Sequence, residues 1–112
     1  MDQRPWHRHY EPGVPPSLRY EDVPLYGWLE RAAREWGVRP GVVFLNCRWT
    51  FSELKEKADR FATALHGLGV AQGTPVAIHL PNLPQTVVAF FAVQRLGAHA
   101  VMTNPLYTPR EI

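Results

Sequence analysis

The chain has 112 residues, of which 46% are hydrophobic and 20% are charged, with a formal net charge of +2. This length allows one domain at most, and the composition excludes intrinsic disorder and a coiled coil. The small charge does not require a nucleic-acid partner, and a single cysteine excludes an internal disulfide. The N-terminus lacks a signal-peptide pattern, and the longest apolar run, 87–93, is too short to span a bilayer. We therefore expect a cytoplasmic protein.

Residues 1–24 are predicted to form an extended arm, because they contain five prolines and no helical period. Trp6, Tyr10 and Tyr20 are unfavourable in water, so we expect the arm to lie on a larger body. From Leu25 the pattern becomes helical. One face repeats at helical spacing and ends before Gly37, with the apolar positions Leu25, Leu29, Ala32 and Trp36.

Two short apolar runs, 42–45 and 49–51, predict a β-hairpin with residues 46–48 between its strands. Thr50 or Ser52 can cap the helix that follows, and Thr50 with Glu53 has the spacing of a capping box. The glycines at 67 and 69 are expected to stop that helix. Its predicted buried stripe consists of Leu54, Ala58, Phe61, Leu65 and Leu68.

A strand–helix–strand unit is predicted in the second half of the chain. The strand 75–80 is nearly all apolar, as in a parallel sheet covered on both faces. Asn82 is the expected cap of a helix over 85–96, with Pro84 in its first turn, and Gly97 precedes a second strand, 98–103. This βαβ pattern places the chain in the α/β class.

Two features predict that the chain is an incomplete subdomain. Thr108, Pro109 and Glu111 have the pattern of a helix start, but the chain ends at Ile112 before a turn is complete. The helix over 85–96 also presents more apolar surface than the short neighbouring elements are expected to cover.

Motifs for catalysis or metal binding are mostly lacking. Gly67, Gly69 and Gly73 follow a helix instead of opening one, so we interpret them as a helix stop and a turn, not a phosphate-binding loop. His7 and His9 flank Arg8 without a carboxylate or cysteine at ligand spacing, so no metal site is expected. The remaining histidines are isolated, and Cys47 is interpreted as a structural residue of the hairpin turn.

Ligand contact is expected at one edge of the predicted sheet more than elsewhere in the chain. In open α/β sheets, ligands bind outside the carboxyl ends of the strands. Those ends here are residues 81–84 and 104–108, and the polar candidates are Asn104, Tyr107 and Thr108. We expect no catalytic or metal-ligating residue within the chain.

Taken in order, the motifs resemble those of bacterial long-chain fatty-acid–CoA ligases. The arm string RPWHRHYEPGVP at 4–15 resembles their leading segment, and WTFSEL at 49–54 resembles the first core motif of the adenylate-forming superfamily. The most specific string is NPLYTPREI at 104–112. Departures are confined to a turn and a strand start, where Thr74-Pro75 replaces a usual Asp-Arg and Gly41-Val42 replaces a usual Pro-x-x-Ala.

The resemblance implies the N-terminal part of an AMP-forming ligase, with residues 25–112 beginning its adenylation domain. Such an enzyme uses ATP, Mg²⁺ and CoA to convert a fatty acid to acyl-CoA through an acyl-adenylate. Its catalytic motifs lie beyond the equivalent of Ile112, so the chain alone is expected to be inactive. The implied partners are the remainder of the polypeptide and the substrates, with peripheral membrane association and a homodimer as further expectations. The alternatives are an aryl-CoA or medium-chain ligase, or a truncated paralogue that acts as a binding or dimerisation module.

Overall fold

The structure, a computed structural model, describes residues 4–112. A short 3₁₀ helix, Pro5–His9, precedes helix α1, Leu25–Trp36, and a hairpin of strands β1, Pro40–Phe44, and β2, Cys47–Thr50. Helix α2, Phe51–Gly67, leads to strand β3, Pro75–Ile78, helix α3, Pro84–Arg95, and strand β4, His99–Met102. The α/β class and the strand–helix–strand order are confirmed.

The arm is not extended throughout, because Pro5 opens a helical turn with its φ already restricted. The backbone N–H of His7 donates to the Arg4 carbonyl at 3.0 Å. Trp6 is 53% exposed and Tyr20 is 84% exposed, so the described residues cover these side chains only in part. The Arg31 guanidinium, 2.5 Å from the Glu21 carboxylate, holds the end of the arm against α1.

The hairpin is confirmed, but its turn is shorter than predicted. Phe44 pairs with Cys47, so the turn consists of Leu45 and Asn46 alone. Cys47 therefore lies half-buried in β2 and not in a turn.

The capping box that begins α2 is confirmed, with Thr50 as its cap. The Thr50 hydroxyl accepts from the Glu53 N–H at 3.2 Å, and the Glu53 carboxylate accepts from the Thr50 N–H at 2.8 Å. Ser52 instead lies close to Gly37 at the end of α1. A Cβ atom added to Gly37 would lie 2.4 Å from the Ser52 hydroxyl oxygen. The glycine is required there by this close approach.

The cap predicted for α3 was wrong. Pro84 occupies the first helical position, which makes Leu83 the N-cap and leaves Asn82 one residue too early. Leu83 has no side-chain acceptor, but Thr86 in the first turn donates its hydroxyl hydrogen to the Pro81 carbonyl at 2.5 Å. Gly97 closes α3 with φ +65, as its position predicted.

The core consists of two clusters joined by α3. The first contains Tyr26, Leu29, Leu54 and Ala58, and the second contains Ile78, Ala89, Val93 and Ala98. Val87, Val88 and Phe91 of α3 pack on the first cluster and Phe90 packs on the second. The neighbouring elements thus cover α3 more completely than its composition predicted, because it lies between both clusters and leaves only Gln85 and Arg95 exposed.

Three predicted buried faces were partly wrong. In α1 the buried side chains are Tyr26 and Leu29, while Leu25 and Trp36 are about half exposed. In α2 they are Leu54, Ala58 and Ala62, while Phe61 and Leu68 are exposed. The strand β3 buries only Ile78, because among the described residues one face of the β3–β4 sheet carries no covering layer.

Candidate functional site

The parallel pairing of β3 with β4 brings the two segments of the predicted ligand-binding edge to the same end of the sheet. The register runs from Pro75 opposite His99 to Ile78 opposite Met102, and the Thr103 N–H extends the ladder to the Ile78 carbonyl at 3.0 Å. Segments 81–84 and 104–108 therefore both follow from the carboxyl ends of paired strands, where open α/β sheets bind ligands.

Asn104 and Thr108 have local structural roles at this edge. The Asn104 side-chain oxygen accepts from the Leu106 N–H at 3.0 Å, which forms an Asx turn. Thr108 donates to the Glu111 carboxylate from its N–H at 2.8 Å and from its hydroxyl at 2.7 Å. These hydrogen bonds lower the pKa of Glu111. The predicted helix start is thus present as a single turn with capping-type hydrogen bonds, not as a helix.

Tyr107 differs from its neighbours, because its hydroxyl makes no hydrogen bond within residues 4–112 and its side chain is 44% exposed. Of the three candidates, it is the one whose side chain makes no hydrogen bond within the described residues. Ligand contact by Asn104, Tyr107 and Thr108 stays a prediction.

Sequence analysis missed a polar network that joins all three helices. The Asp59 carboxylate of α2 accepts hydrogen bonds from the Tyr26 hydroxyl of α1 and from the Arg95 guanidinium of α3. Lys55, one turn earlier in α2, donates to the second carboxylate oxygen at 2.7 Å, and Arg95 also donates to the Tyr26 hydroxyl oxygen at 2.8 Å. Only the Lys55–Asp59 pair, with its i, i+4 spacing, could have been found in the sequence.

This network shifts the acidity of its members. Burial opposes ionisation of Asp59, but hydrogen bonds from Lys55, Tyr26 and Arg95 outweigh that effect and lower its pKa. Burial, together with the hydrogen bond to Asp59, raises the pKa of Tyr26. The tyrosine therefore stays protonated beside an ionised aspartate, as a donor to it.

A surface groove of about 490 Å³ adjoins this network between α1 and α2. Its lining includes the cations Arg34, Lys55 and Arg60 and the anions Glu30, Glu56 and Asp59, and it contains none of the residues of the strand edge. Since the two signs of charge balance, the lining favours neither an anionic nor a cationic ligand.

The arm histidines make local contacts. The His7 ring nitrogen Nδ1 accepts from the Arg4 N–H at 3.3 Å, and the His9 Nε2 accepts from the Arg8 side chain at 3.1 Å. Residues 4–112 contain no group of three or more side chains arranged to ligate a metal ion. Within the same range, no helix has the length and apolar character needed to cross a membrane.

Comparison with known proteins gives consistent results. The family described as AMP-binding enzyme matches residues 29–112. The long-chain-fatty-acid–CoA ligase of Salmonella typhimurium is 39% identical over 111 residues, which is 96% of this chain and 19% of the ligase. The chain thus spans about a fifth of the length of the curated relatives it matches.

Solved structures agree in fold. The structure of VinN in complex with 3-methylaspartate superposes with a TM-score of 0.77 at 30% identity and covers 83% of this chain and 26% of VinN. The apo structure of MbtA from Mycobacterium smegmatis has a TM-score of 0.74 at 38% identity, over 79% of this chain and 17% of MbtA.

Proposed function

The chain belongs to the family of AMP-binding enzymes, and from this membership we propose that it is the N-terminal part of a fatty-acid–CoA ligase. The observation that carries the proposal is the 39% identity to a long-chain-fatty-acid–CoA ligase along 96% of the chain. In the proposed reaction, the fatty-acid carboxylate attacks the α-phosphate of ATP, with Mg²⁺ present, and releases pyrophosphate. The CoA thiol then displaces AMP from the acyl-adenylate.

Within such a ligase, we assign residues 25–112 to the beginning of the AMP-binding domain and residues 1–24 to an arm outside it. The family match supports this division, because it begins at residue 29. The described residues supply scaffold: α3 joins two core clusters, and the β3–β4 pair directs the 104–108 turn to one edge. Catalytic groups would come from the remainder of the polypeptide, which is the principal partner of this chain. Because ATP and CoA are cytoplasmic co-substrates, we place the enzyme in the cytoplasm.

A second candidate is a ligase that adenylates another class of acid. VinN, at 30% identity, has been solved with 3-methylaspartate, an amino acid. Aryl and medium-chain acids are further alternatives, because the part of the protein that would contact the acyl group is outside these residues.

The test is ATP–pyrophosphate exchange by the polypeptide from the complete reading frame, with a long-chain fatty acid, a medium-chain fatty acid, an aryl acid and an amino acid as separate substrates. We expect exchange that is fastest with the long-chain fatty acid, and CoA-dependent AMP release with the same acid. Preference for another acid would replace the substrate assignment. If no acid supports exchange, the ligase proposal is wrong and the binding-module alternative becomes the hypothesis.

The 112-residue chain alone serves as the matched control, and we expect no exchange from it. Robust exchange by a clean preparation of the chain alone would contradict the assignment of these residues to scaffold.

A further inference from the structure

The β1–β2 hairpin has backbone groups that point away from it. Phe44 and Cys47 flank the two-residue turn, and such a pair is hydrogen-bonded across the strands. Val43 and Arg48 form the next pair, which is of the non-hydrogen-bonded kind, so their N–H and C=O groups face outward. Among residues 4–112, neither backbone forms a hydrogen bond to another element. Both outer edges can therefore pair with a further strand at these positions.

The two edges differ in how open they are. Strand β2 leads directly into α2, and the Thr50 N–H already donates to the Glu53 carboxylate at 2.8 Å. The second half of β1 has no such partner, since Val43 is 61% exposed and Phe44 is 36% exposed. The β1 edge is thus the one with room for another strand.

The charge around the hairpin has one sign. Segment 38–50 contains Arg39 and Arg48 and no acidic residue. Neither guanidinium forms an ion pair within residues 4–112. Arg48 is paired with Val43 across the strands, so both side chains lie on the same face of the hairpin. Acidic side chains on an added strand would therefore find cations that have no other partner in this part of the chain.

The opposite face of the hairpin holds the β1 edge in place. Val42 and Trp49 pair across the strands and pack on the cluster that contains Leu54 and Ala58. Since the core supports this face, the β1 edge is already extended before any strand binds, which lowers the entropy cost of binding.

We propose that the outer edge of β1 binds an extended segment of a partner protein in which acidic and apolar residues alternate. The Val43 backbone supplies the main-chain hydrogen bonds of an added strand. The acidic side chains lie on the face that carries Arg48, and the apolar side chains lie on the face that carries Phe44, because successive residues of a strand point to opposite faces. This inference does not depend on the ligase proposal.

The test is surface plasmon resonance with the full chain immobilised and short peptides as probes. The first probe is a six-residue peptide with blocked ends that alternates glutamate and valine, and the second has lysine in place of glutamate. We expect the acidic peptide to bind about tenfold more tightly than the basic one, because two arginines attract one and repel the other.

Two N-methylated forms of the acidic peptide, methylated at alternate residues, test the pairing itself. One form has its methyl groups on the N–H groups that face β1, and the other has them on the N–H groups that face away. We expect the first form to lose binding and the second to bind like the unmodified peptide.

Variants of the chain locate the binding edge. Val43→Pro removes the outward N–H but no hydrogen bond of the hairpin, and we expect it to weaken binding of the acidic peptide by about fivefold. Arg48→Gln should weaken it by about threefold. Arg110→Gln is the matched control, because Arg110 is an exposed cation outside the hairpin, and it should bind like the parent.

Circular dichroism shows whether each variant keeps the fold of the parent, and the methylated peptides decide the question if Val43→Pro does not. The proposal is overturned if the parent binds neither peptide or binds both equally. It is also overturned if both methylated forms bind like the unmodified peptide, if folded Val43→Pro binds like the parent, or if Arg110→Gln loses as much affinity as Arg48→Gln.

Discussion

A single carboxylate, that of Asp59, connects the three helices of this fold, through Tyr26 in α1, Lys55 in α2 and Arg95 in α3. Replacing Asp59 with Asn keeps the shape but removes the charge that two cations and a hydroxyl share. We expect the free energy of unfolding at neutral pH to fall by about 1–3 kcal/mol, because the partners lose charge-assisted hydrogen bonds in a half-buried setting. Urea unfolding followed by circular dichroism measures this change.

The pH dependence follows from the lowered pKa of Asp59 in the folded state. The stabilisation is fully present above the ordinary aspartate pKa of 3.8, and it is lost as pH falls through the lower, folded value. The difference between parent and Asp59→Asn should therefore narrow in acid. Glu56→Gln is the control, since Glu56 makes only a 3.9 Å exposed contact with Arg60 and should change stability by less than ~0.5 kcal/mol. If the difference in unfolding free energy between the parent and Asp59→Asn stayed the same at acid pH, the stabilising role of the ionised Asp59 would be wrong.

At the scale of elements, α2 depends on its N-terminal capping box. Thr50→Ala removes the hydroxyl that accepts from the Glu53 N–H, and we expect a loss of about 1 kcal/mol in unfolding free energy. Thr63→Ala in the same helix is the matched control, because the Thr63 hydroxyl bonds back to the Asp59 carbonyl, a contact that slightly destabilises helices. It should be neutral or slightly stabilising in the same urea titration. Equal losses in both variants would show that the cap has no special role.

At the scale of the whole molecule, the chain exposes more surface than its size requires. Its accessible surface is 8850 Å², against about 6,300 Å² for a compact protein of this mass. Its radius of gyration is 18.1 Å, against about 13 Å for a compact domain of this length. Exposed side chains of the arm and the half-exposed tryptophans of α1 contribute to the accessible surface.

We therefore expect the isolated chain to bind the dye anilinonaphthalene sulfonate and to self-associate as its concentration rises. Dye fluorescence and sedimentation velocity measure these properties, and the polypeptide from the complete reading frame is the control, in which both should be reduced. A monodisperse chain with cooperative unfolding and no dye binding would contradict this expectation and favour the binding-module alternative.

The parts of the fold that could be predicted depend on neighbours within a few residues. Thr50 and Glu53 form the α2 capping box, Gly37 follows the last residue of α1, and Gly97 closes α3. The wrong prediction of Asn82 as the α3 cap also depended on close neighbours, because Pro84 prefers the first helical position and this makes Leu83 the N-cap. At the strand edge, the parallel order and the cap pattern of Thr108 with Glu111 were predictable, but the Asx turn formed by Asn104 was not predicted.

By itself, the sequence determined the class, the order of elements and the family, because periodicity, caps and ordered motifs are properties of short segments. Only the tertiary structure decided which faces are buried. Helical period defines an apolar stripe but not the element that covers it. Helix α2 packs on α3, and its buried residues include Ala58 and Ala62, while the larger Phe61 remains exposed. The same reason explains why the Tyr26–Asp59–Arg95 network was not predicted. Asp59 is 33 residues from Tyr26 and 36 residues from Arg95, so these side chains meet only when the three helices pack together.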